Sequence, residues 1–322
     1  MNAVNATIFN EDCIANMVRR LGKESVDLCV TSIPFSDLFT YSGKIDDVGN
    51  CSDGVDSRDS QFGLTMRFFI NELWQVLRPG CNADIHIQQL IAFFNKHGYM
   101  GKRDFKGAVI DLFSAGGFNF IGETAIPKNP QRVAQQLHLH SLQFATGYRD
   151  SRKLAPTTND YVLMFQKPGE GEPVRAIYDR VKNPGGWVST EEWIKWASGV
   201  WGDILEIDTI ENWGNAREKD DEKHVCPIQL EVVRRCVMLH SSPGGVVLDP
   251  FMGIGSTAWT ALGAPSSVTK LAVPAPRNVV GFELKDSYHA LAERNARKAI
   301  ELLRESQPNA APDLFTLAGV AL

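Results

Sequence analysis

The 322-residue sequence predicts an α/β protein with a doubly wound, mostly parallel, Rossmann-like sheet and one inserted region. Three stretches carry that expectation. Residues 246–262 read as an apolar strand (Val246-Val247-Leu248), a tight loop (Asp249-Pro250-Phe251-Met252-Gly253-Ile254-Gly255) and a helix opening at Ser256-Thr257. Residues 278–284 form a second short apolar run that reaches the acid Glu283, with a helical pattern over 288–303 behind it. Residues 25–31 are apolar nearly throughout, as strands buried on both faces are, and lead directly into Ser32-Ile33-Pro34-Phe35.

Taken in order, residues 7–10 suggest a first strand and 12–21 a helix that Asp12 can cap. The strand over 25–31 follows. Residues 36–63 are polar, carry four glycines and keep no period, so a long loop is expected. A helix over 68–76 is stopped by Leu77-Arg78-Pro79-Gly80 before a strand over 84–87. Residues 106–115 read as a helix ended by Gly116-Gly117, and 118–126 and 160–166 as strands joined by a basic, polar connection. The alternation breaks from 167 to about 223, where Pro and Gly recur and Trp187, Trp193, Trp196, Trp201 and Trp213 gather. These tryptophans read as the core of a small insertion rather than as a stacking platform. A helix over 232–239 restores the pattern. The expected organisation is residues 1–168 as one half of a domain, 169–223 as an inserted variable region, 224–304 as the ligand-binding half, and 305–322 as a loosely ordered tail.

A formal charge of −5 and a pI near 5.8 exclude a protein that coats nucleic acid by bulk charge, yet leave room for a local basic cleft. Cys13, Cys29, Cys51, Cys81, Cys226 and Cys236 are scattered without a C-x-x-C pair, which fits reduced thiols in a cytoplasmic protein. No leader pattern and no apolar run of roughly 18 residues is present, so neither secretion nor a membrane span is expected. His138-Leu139-His140 has metal-ligand types without a partnered Cys or carboxylate pattern, and no metal is expected there.

The glycines of the Asp249–Gly255 loop let backbone approach a ligand where a Cβ would collide. Strand-to-helix turns of this kind also arise for packing alone, and a lone Gly-x-Gly does not separate the two. The acid ending the next strand adds weight, because a carboxylate there can accept hydrogen bonds from ribose hydroxyls. Glu283 falls 28 residues after Gly255, later than the usual roughly 20. The Pro-bearing stretch 263–277 accounts for the delay as a surface loop.

Two strand-end features must meet: Thr31-Ser32-Ile33-Pro34-Phe35 early, and Asp249-Pro250-Phe251-Met252-Gly253-Ile254-Gly255-Ser256-Thr257 late. In that order they resemble the β-type, circularly permuted DNA methyltransferases that modify exocyclic amino groups, the N-4/N-6 DNA methylases. Asn10-Glu11-Asp12-Cys13 resembles the family's acidic motif before its first helix. Residues 73–80 resemble its leader helix with Leu-(Lys/Arg)-Pro-Gly, and His224-Val225-Cys226-Pro227-Ile228-Gln229 is similar to a diverged motif that packs on the cofactor. The resemblance leaves out 36–63, much of 128–159, and 169–223.

The resemblance implies S-adenosylmethionine as cofactor, DNA as substrate and a target-recognition role for residues 169–223; it leaves a homodimer and a restriction partner open. Asp249, Pro250, Phe251, Gly253, Gly255, Ser256, Thr257 and Glu283 would bind the cofactor, with Asp12 at its adenine and His224 packed nearby. Ser32 Oγ and the Ile33 carbonyl would accept hydrogens of the target amino group, Pro34 would fix the turn, and Phe35 would stack on a flipped base. The family most often has proline where this chain has Ile33; the carbonyl survives the change, while one ring constraint is lost. Serine at position 32 leans toward cytosine N4 over adenine N6. Taken singly, Ser32 can simply cap a turn, Phe35 can be core, Asp12 an N-cap and Glu283 a solvated strand end. A methyltransferase acting on RNA or protein, or a DNA-binding relic without turnover, remain alternatives. Lys128, Arg132, Arg149, Arg152 and Lys153 can track phosphates or simply form a solvated loop face.

Overall fold

The computed structural model describes residues 4–35, 60–136, 140–211 and 227–306. The chain runs β1 (Ala6–Phe9), α1 (Cys13–Leu21), β2 (Val26–Ser32), α2 (Gln61–Val76), β3 (Leu77–Gln88), β4 (Leu90–Ala92), α3 (Phe94–His97), β5 (Gly101–Arg103), α4 (Phe105–Ala115) and β6 (Asn119–Ile126). It continues through α5 (Pro130–Gln136), α6 (Phe144–Arg149), β7 (Asp160–Gln166), α7 (Thr190–Trp196), α8 (Leu230–His240), β8 (Val246–Asp249), α9 (Ser256–Ala261), β9 (Asn278–Phe282) and α10 (Asp286–Ser306).

Seven strands form one sheet in the order β1-β9-β8-β2-β3-β7-β6. The first five are parallel, and β7 and β6 are antiparallel additions. The last two strands in sequence, β8 and β9, therefore slot between the first two. β7 starts opposite the end of β3 (Gln88 beside Asp160), and β6 ends there too (Ile126 beside Asp160). One edge of the sheet thus gathers the carboxyl ends of β1, β9, β8, β2, β3 and β6 and the amino end of β7.

The mostly parallel α/β plan expected from the sequence is the one found, with helices on both faces. Alternate residues of β2 show why. Cys29 joins Met17, Phe62, Phe69, Leu73 and Phe113 on the side of α1, α2 and α4. Leu28 and Val30 join Val233, Val237, Ala258 and Ala292 on the side of α8, α9 and α10. A strand covered on both faces is apolar where it is covered, as Leu28-Cys29-Val30 are at its centre.

Local chemistry sets the boundaries. Asp12 caps α1 by accepting from the backbone of Ile14 (3.2 Å) and Ala15 (3.1 Å). α2 begins at Gln61 rather than at the expected 68, because Ser60 Oγ accepts the Gly63 amide (3.0 Å) and Phe62 and Met66 already face the core. The rest of the loop expected over 36–63 lies outside the described residues. Leu77-Arg78-Pro79-Gly80 does end the helix, but β3 begins within it. The register with β2 jumps between Val26–Leu77 and Leu28–Asn82, and Gly80 takes φ +77° at that bulge. The β4–β5 hairpin and α3 were not foreseen: three-residue strands carry too few alternations to be read. α7 also escaped, although Ser189 and Glu192 form a complete capping box at its start.

The tryptophan-bearing stretch belongs to the face of α8. Trp196 and Trp201 are buried, and the Arg235 guanidinium lies 5.4 and 5.1 Å from their ring centroids. Arg235, 2% exposed, is held by Glu231 (2.9 Å) and Asp203 (2.6 Å). The Trp201 amide donates to Ala125 O (2.8 Å) and the Ala125 amide to Gly199 O (3.0 Å), so this stretch covers the end of the outermost strand, β6. Trp213 lies outside the described residues. No helix among the described residues is long and apolar enough to cross a membrane. Removing Arg235 strips two buried rings and a buried carboxylate of their common partner. Arg235→Ala is expected to lower unfolding free energy by on the order of 3 kcal/mol. Arg235→Lys should recover little of that, since a point charge cannot replace the fork; urea denaturation measures both.

Candidate active site

β2 and β8 are neighbours, so Ser32 at the end of one stands beside Asp249 at the end of the other. Thr31 Oγ1 donates to Asp249 Oδ1 (2.6 Å), with both residues buried. The same carboxylate oxygen accepts the Phe251 amide (3.1 Å), turning the chain sharply after the strand. The Asp249 side chain is thus committed to the shape of the loop, and Pro250 behind it is buried. Phe251 packs its ring on Phe69 of α2 at 5.1 Å. Gly253 and Gly255 take φ +55° and +93°. A Cβ on Gly255 would come within 3.1 Å of the Ala292 backbone, so the second glycine is what lets α10 lie against the loop. Ser256 and Thr257 are buried in the first turn of α9.

Glu283 stands where β9 ends. Its carboxylate accepts the Gly253 amide (2.8 Å) and the Lys285 amide (2.8 Å), tying the acid to the glycine loop. β1 lies on the other side of β9. The Glu283 amide donates to Phe9 O (3.0 Å) and the Asn10 side chain to Glu283 O (3.3 Å), which brings Asp12 at the start of α1 to the same edge. His224 lies outside the described residues. A half-buried acid fixed beside a glycine turn fits a ligand with paired hydroxyl donors, as a ribose has, and the positive-φ backbone leaves room for it.

On the β2 side, Ile33 is buried and Pro34 half-buried. Phe35 is 7% exposed and meets Phe105 edge-on at 6.4 Å, so its ring is packed inward as a core residue here. Ser32 Oγ lies 3.0 Å from His86 Nδ1, its register partner on β3, and His86 Nε2 lies 3.3 Å from Asp160 Oδ2 at the start of β7. Lys128 Nζ contacts the same Asp160 oxygen at 2.5 Å. Sequence reasoning missed His86 and Asp160. The available signal was one histidine inside the apolar run Ile85-His86-Ile87 and one acid opening an apolar strand. Lys128, expected to track phosphate, is instead ion-paired with Asp160; Arg132 pairs with Glu206 (3.2 Å) and Arg152 with Asp150, while Arg149 and Lys153 are exposed. Among the described residues, no three His, Cys, Asp or Glu side chains gather as a metal site.

Burial pushes the Asp249 carboxyl up to about 6, against hydrogen bonds from Thr31 and the Phe251 backbone that favour the charged form. An unfolded aspartate titrates near 4. The folded state therefore holds the extra proton between those values, and the carboxyl removes stability as pH rises through about 4 to 6. Asp249→Asn keeps an acceptor for Thr31 and Phe251 without the charge. Its effect on unfolding free energy should be more favourable at pH 7.5 than at pH 4 by roughly 2–3 kcal/mol. Equal effects at both values in denaturant titrations would contradict that account.

A glycine loop tied to the acid that ends the next strand, with a hydroxyl-bearing turn on the adjoining strand of a mostly parallel sheet, is a Rossmann-like arrangement. The N6_N4_Mtase family model, described as DNA methylase, matches residues 26–294, and the chain belongs to that family. It is similar to the type II methyltransferase M.BglI of Bacillus subtilis, 32% identical over 137 residues, which is 42% of this chain and 30% of the relative. It is also similar to the type II methyltransferase M.MthZI of Methanothermobacter thermautotrophicus, 26% identical over 147 residues, 46% of this chain and 37% of the relative. The matched stretches thus span about a third of these curated relatives. Among solved structures, TTHA0409 of Thermus thermophilus, a candidate DNA modification methylase in complex with S-adenosyl-L-methionine, superposes with a TM-score of 0.60 at 22% identity, covering 92% of this chain and 94% of that one. The cytosine-N4-specific PvuII DNA methyltransferase gives 0.57 at 14% identity, covering 95% and 94%. At these identities the likeness concerns the fold.

Proposed function

We propose that this protein transfers a methyl group from S-adenosylmethionine to an exocyclic amino nitrogen of a base in DNA, with cytosine N4 favoured over adenine N6. The observation that carries the reading is the junction of β2 and β8, where Ser32 and the Asp249–Gly255 loop share one edge under the Thr31–Asp249 hydrogen bond. When bound, the cofactor supplies a methyl already activated by a sulfonium, so the protein needs to orient and to handle a proton, without a metal.

The chain's own residues divide that work. Glu283 would accept from the ribose hydroxyls, the turn of Gly253 and Gly255 together with Asp12 would complete the hold on the cofactor, and Phe251, Ser256 and Thr257 keep the loop in place; Asp249 acts by shaping it. Ser32 Oγ and the Ile33 carbonyl accept the two amino hydrogens and hold the nitrogen lone pair toward the methyl. An amino group conjugated to the ring is a poor nucleophile, and this restraint is what it lacks in solution. Residues 1–168 carry the base-holding half, 224–304 the cofactor half, and 169–223 the recognition region. The β6–β7 connection, which leaves and rejoins the sheet at the reactive edge, adds exposed Arg149 and Lys153 as phosphate contacts.

Purified protein incubated with methyl-labelled cofactor and unmethylated genomic DNA should label the DNA, and sequencing that reports modified bases should find one base at one recurring site. Absence of label on any DNA while the cofactor still binds would overturn the enzymatic reading. Ser32→Ala should slow single-turnover methylation by about 10²-fold or more with cofactor affinity unchanged. Glu283→Ala should weaken cofactor binding about 10–100-fold by calorimetry, the loss of charge-assisted hydrogen bonds.

A further inference from the structure

Ser32, His86 and Asp160 form a connected line of polar side chains at the ends of three adjoining strands. His86 and Asp160 are 6% and 3% exposed. A histidine between two isoleucines in a buried strand needs partners for both ring nitrogens, and it has them: Ser32 Oγ at 3.0 Å from Nδ1 and Asp160 Oδ2 at 3.3 Å from Nε2. We propose that His86 is the positioning residue of the transfer, fixing the direction of the Ser32 hydroxyl and receiving, through Ser32, the proton that the target amino group must lose. The proposal rests on the amino-methyltransferase reading above.

The orientation follows from the line's far end. Burial alone would raise Asp160, but His86 and Lys128 hold it below the ordinary carboxylate range, so it is an ionised, acceptor-only group. His86 must then donate to it from Nε2. In a neutral imidazole the other nitrogen carries the lone pair, so Nδ1 accepts from the Ser32 hydroxyl. Ser32 thereby presents its oxygen lone pairs, rather than its hydrogen, to an amino group. A serine free to rotate could donate and would then not restrain the base. Lys128 matters as the cation on Asp160: it balances the carboxylate charge, which a neutral imidazole does not.

The proton balance gives the line its second use. The nitrogen lone pair forms the N–C bond as the methyl's bond to sulfur breaks with its electrons going to sulfur, which leaves the nitrogen positive. One N–H bond then breaks. Its proton passes to Ser32 Oγ while the serine's own proton passes to His86 Nδ1, and the imidazolium is stabilised by Asp160 until solvent takes the proton. No external oxidant, reductant or metal enters this sequence.

Two measurements test it, one without turnover. In ligand-free wild-type protein with ¹⁵N-labelled imidazoles, the through-bond assigned His86 resonances at neutral pH should show the Nε2–H tautomer, and Ser32→Ala should shift Nδ1. A Nδ1–H tautomer overturns the proposal whether or not any DNA is methylated. In single-turnover methylation, His86→Gln keeps a hydrogen-bond acceptor but cannot take a proton. The rate should fall about 10²-fold, within the range general-base removal produces, with DNA and cofactor affinities within threefold, and the acid limb of the wild-type pH–rate profile should vanish. A rate within threefold of wild type, or an unchanged acid limb, overturns it. Failure of wild-type protein to methylate DNA strikes the functional reading instead, and leaves the tautomer measurement to decide the geometry.

Discussion

The hydrogen bond from Thr31 to Asp249 is the joint on which the site depends. Its two residues are 218 positions apart, and each sits one step from a different half of the proposed chemistry. The sheet order makes that contact possible: β8 lies beside β2 with Cys29 paired to Leu248, and the Asp249 side chain reaches diagonally forward to Thr31, one residue beyond its register position. A hydroxyl meeting a carboxylate in a dry interior is strongly directional, so the angle between the Ser32 turn and the glycine loop is set by chemistry as well as by packing. In the proposed reaction, loosening that joint would displace the two loops that hold the two reactants.

The same economy of burial recurs behind the sheet. Arg277, fully buried, donates to the Ser241 hydroxyl and to the carbonyls of Ser241, Val237 and Ala275, closing the carboxyl end of α8 without an acid partner among the described residues. Desolvation draws its guanidinium down to about 10, so it remains a cation at neutral pH. Carbonyls at a helix end carry the partial negative charge that makes such an arrangement tolerable. Together with Arg235 under Trp196 and Trp201, this fixes α8 rigidly against β2 and β3. Behind the proposed site, β2 is thus backed by an anchored helix.

Much of this was readable in the chain. The parallel core was legible because β2, β8 and β9 are apolar runs bounded by recognisable turns. The glycine turn and the acid tied to it were legible because Asp249, Gly253 and Gly255 are close in sequence and Glu283 ends the next apolar run. α7 had a readable capping box, Ser189 and Glu192, that went unused. What could not be read was the Ser32–His86–Asp160 line. Its members lie 54 and 74 positions apart, each on a strand that looks merely buried, and only strand order brings them together. Phe35 shows the opposite limit: its place in a motif suggested an outward ring, while its neighbours Phe62 and Phe105 draw it inward.

Asp249 and Asp160 are both buried carboxyls at the same edge, and their surroundings push them in opposite directions. Asp249 has only hydroxyls and an amide to set against desolvation and rises toward neutrality. Asp160 has His86 and Lys128 and falls. Two like groups driven apart by environment mark a division of labour, because a structural acceptor tolerates partial protonation whereas the anchor of a proton path does not. Asp160 thus keeps its charge across the neutral range, as the proposed proton path needs, while Asp249, pushed up to about 6, serves its loop as an acceptor in either form.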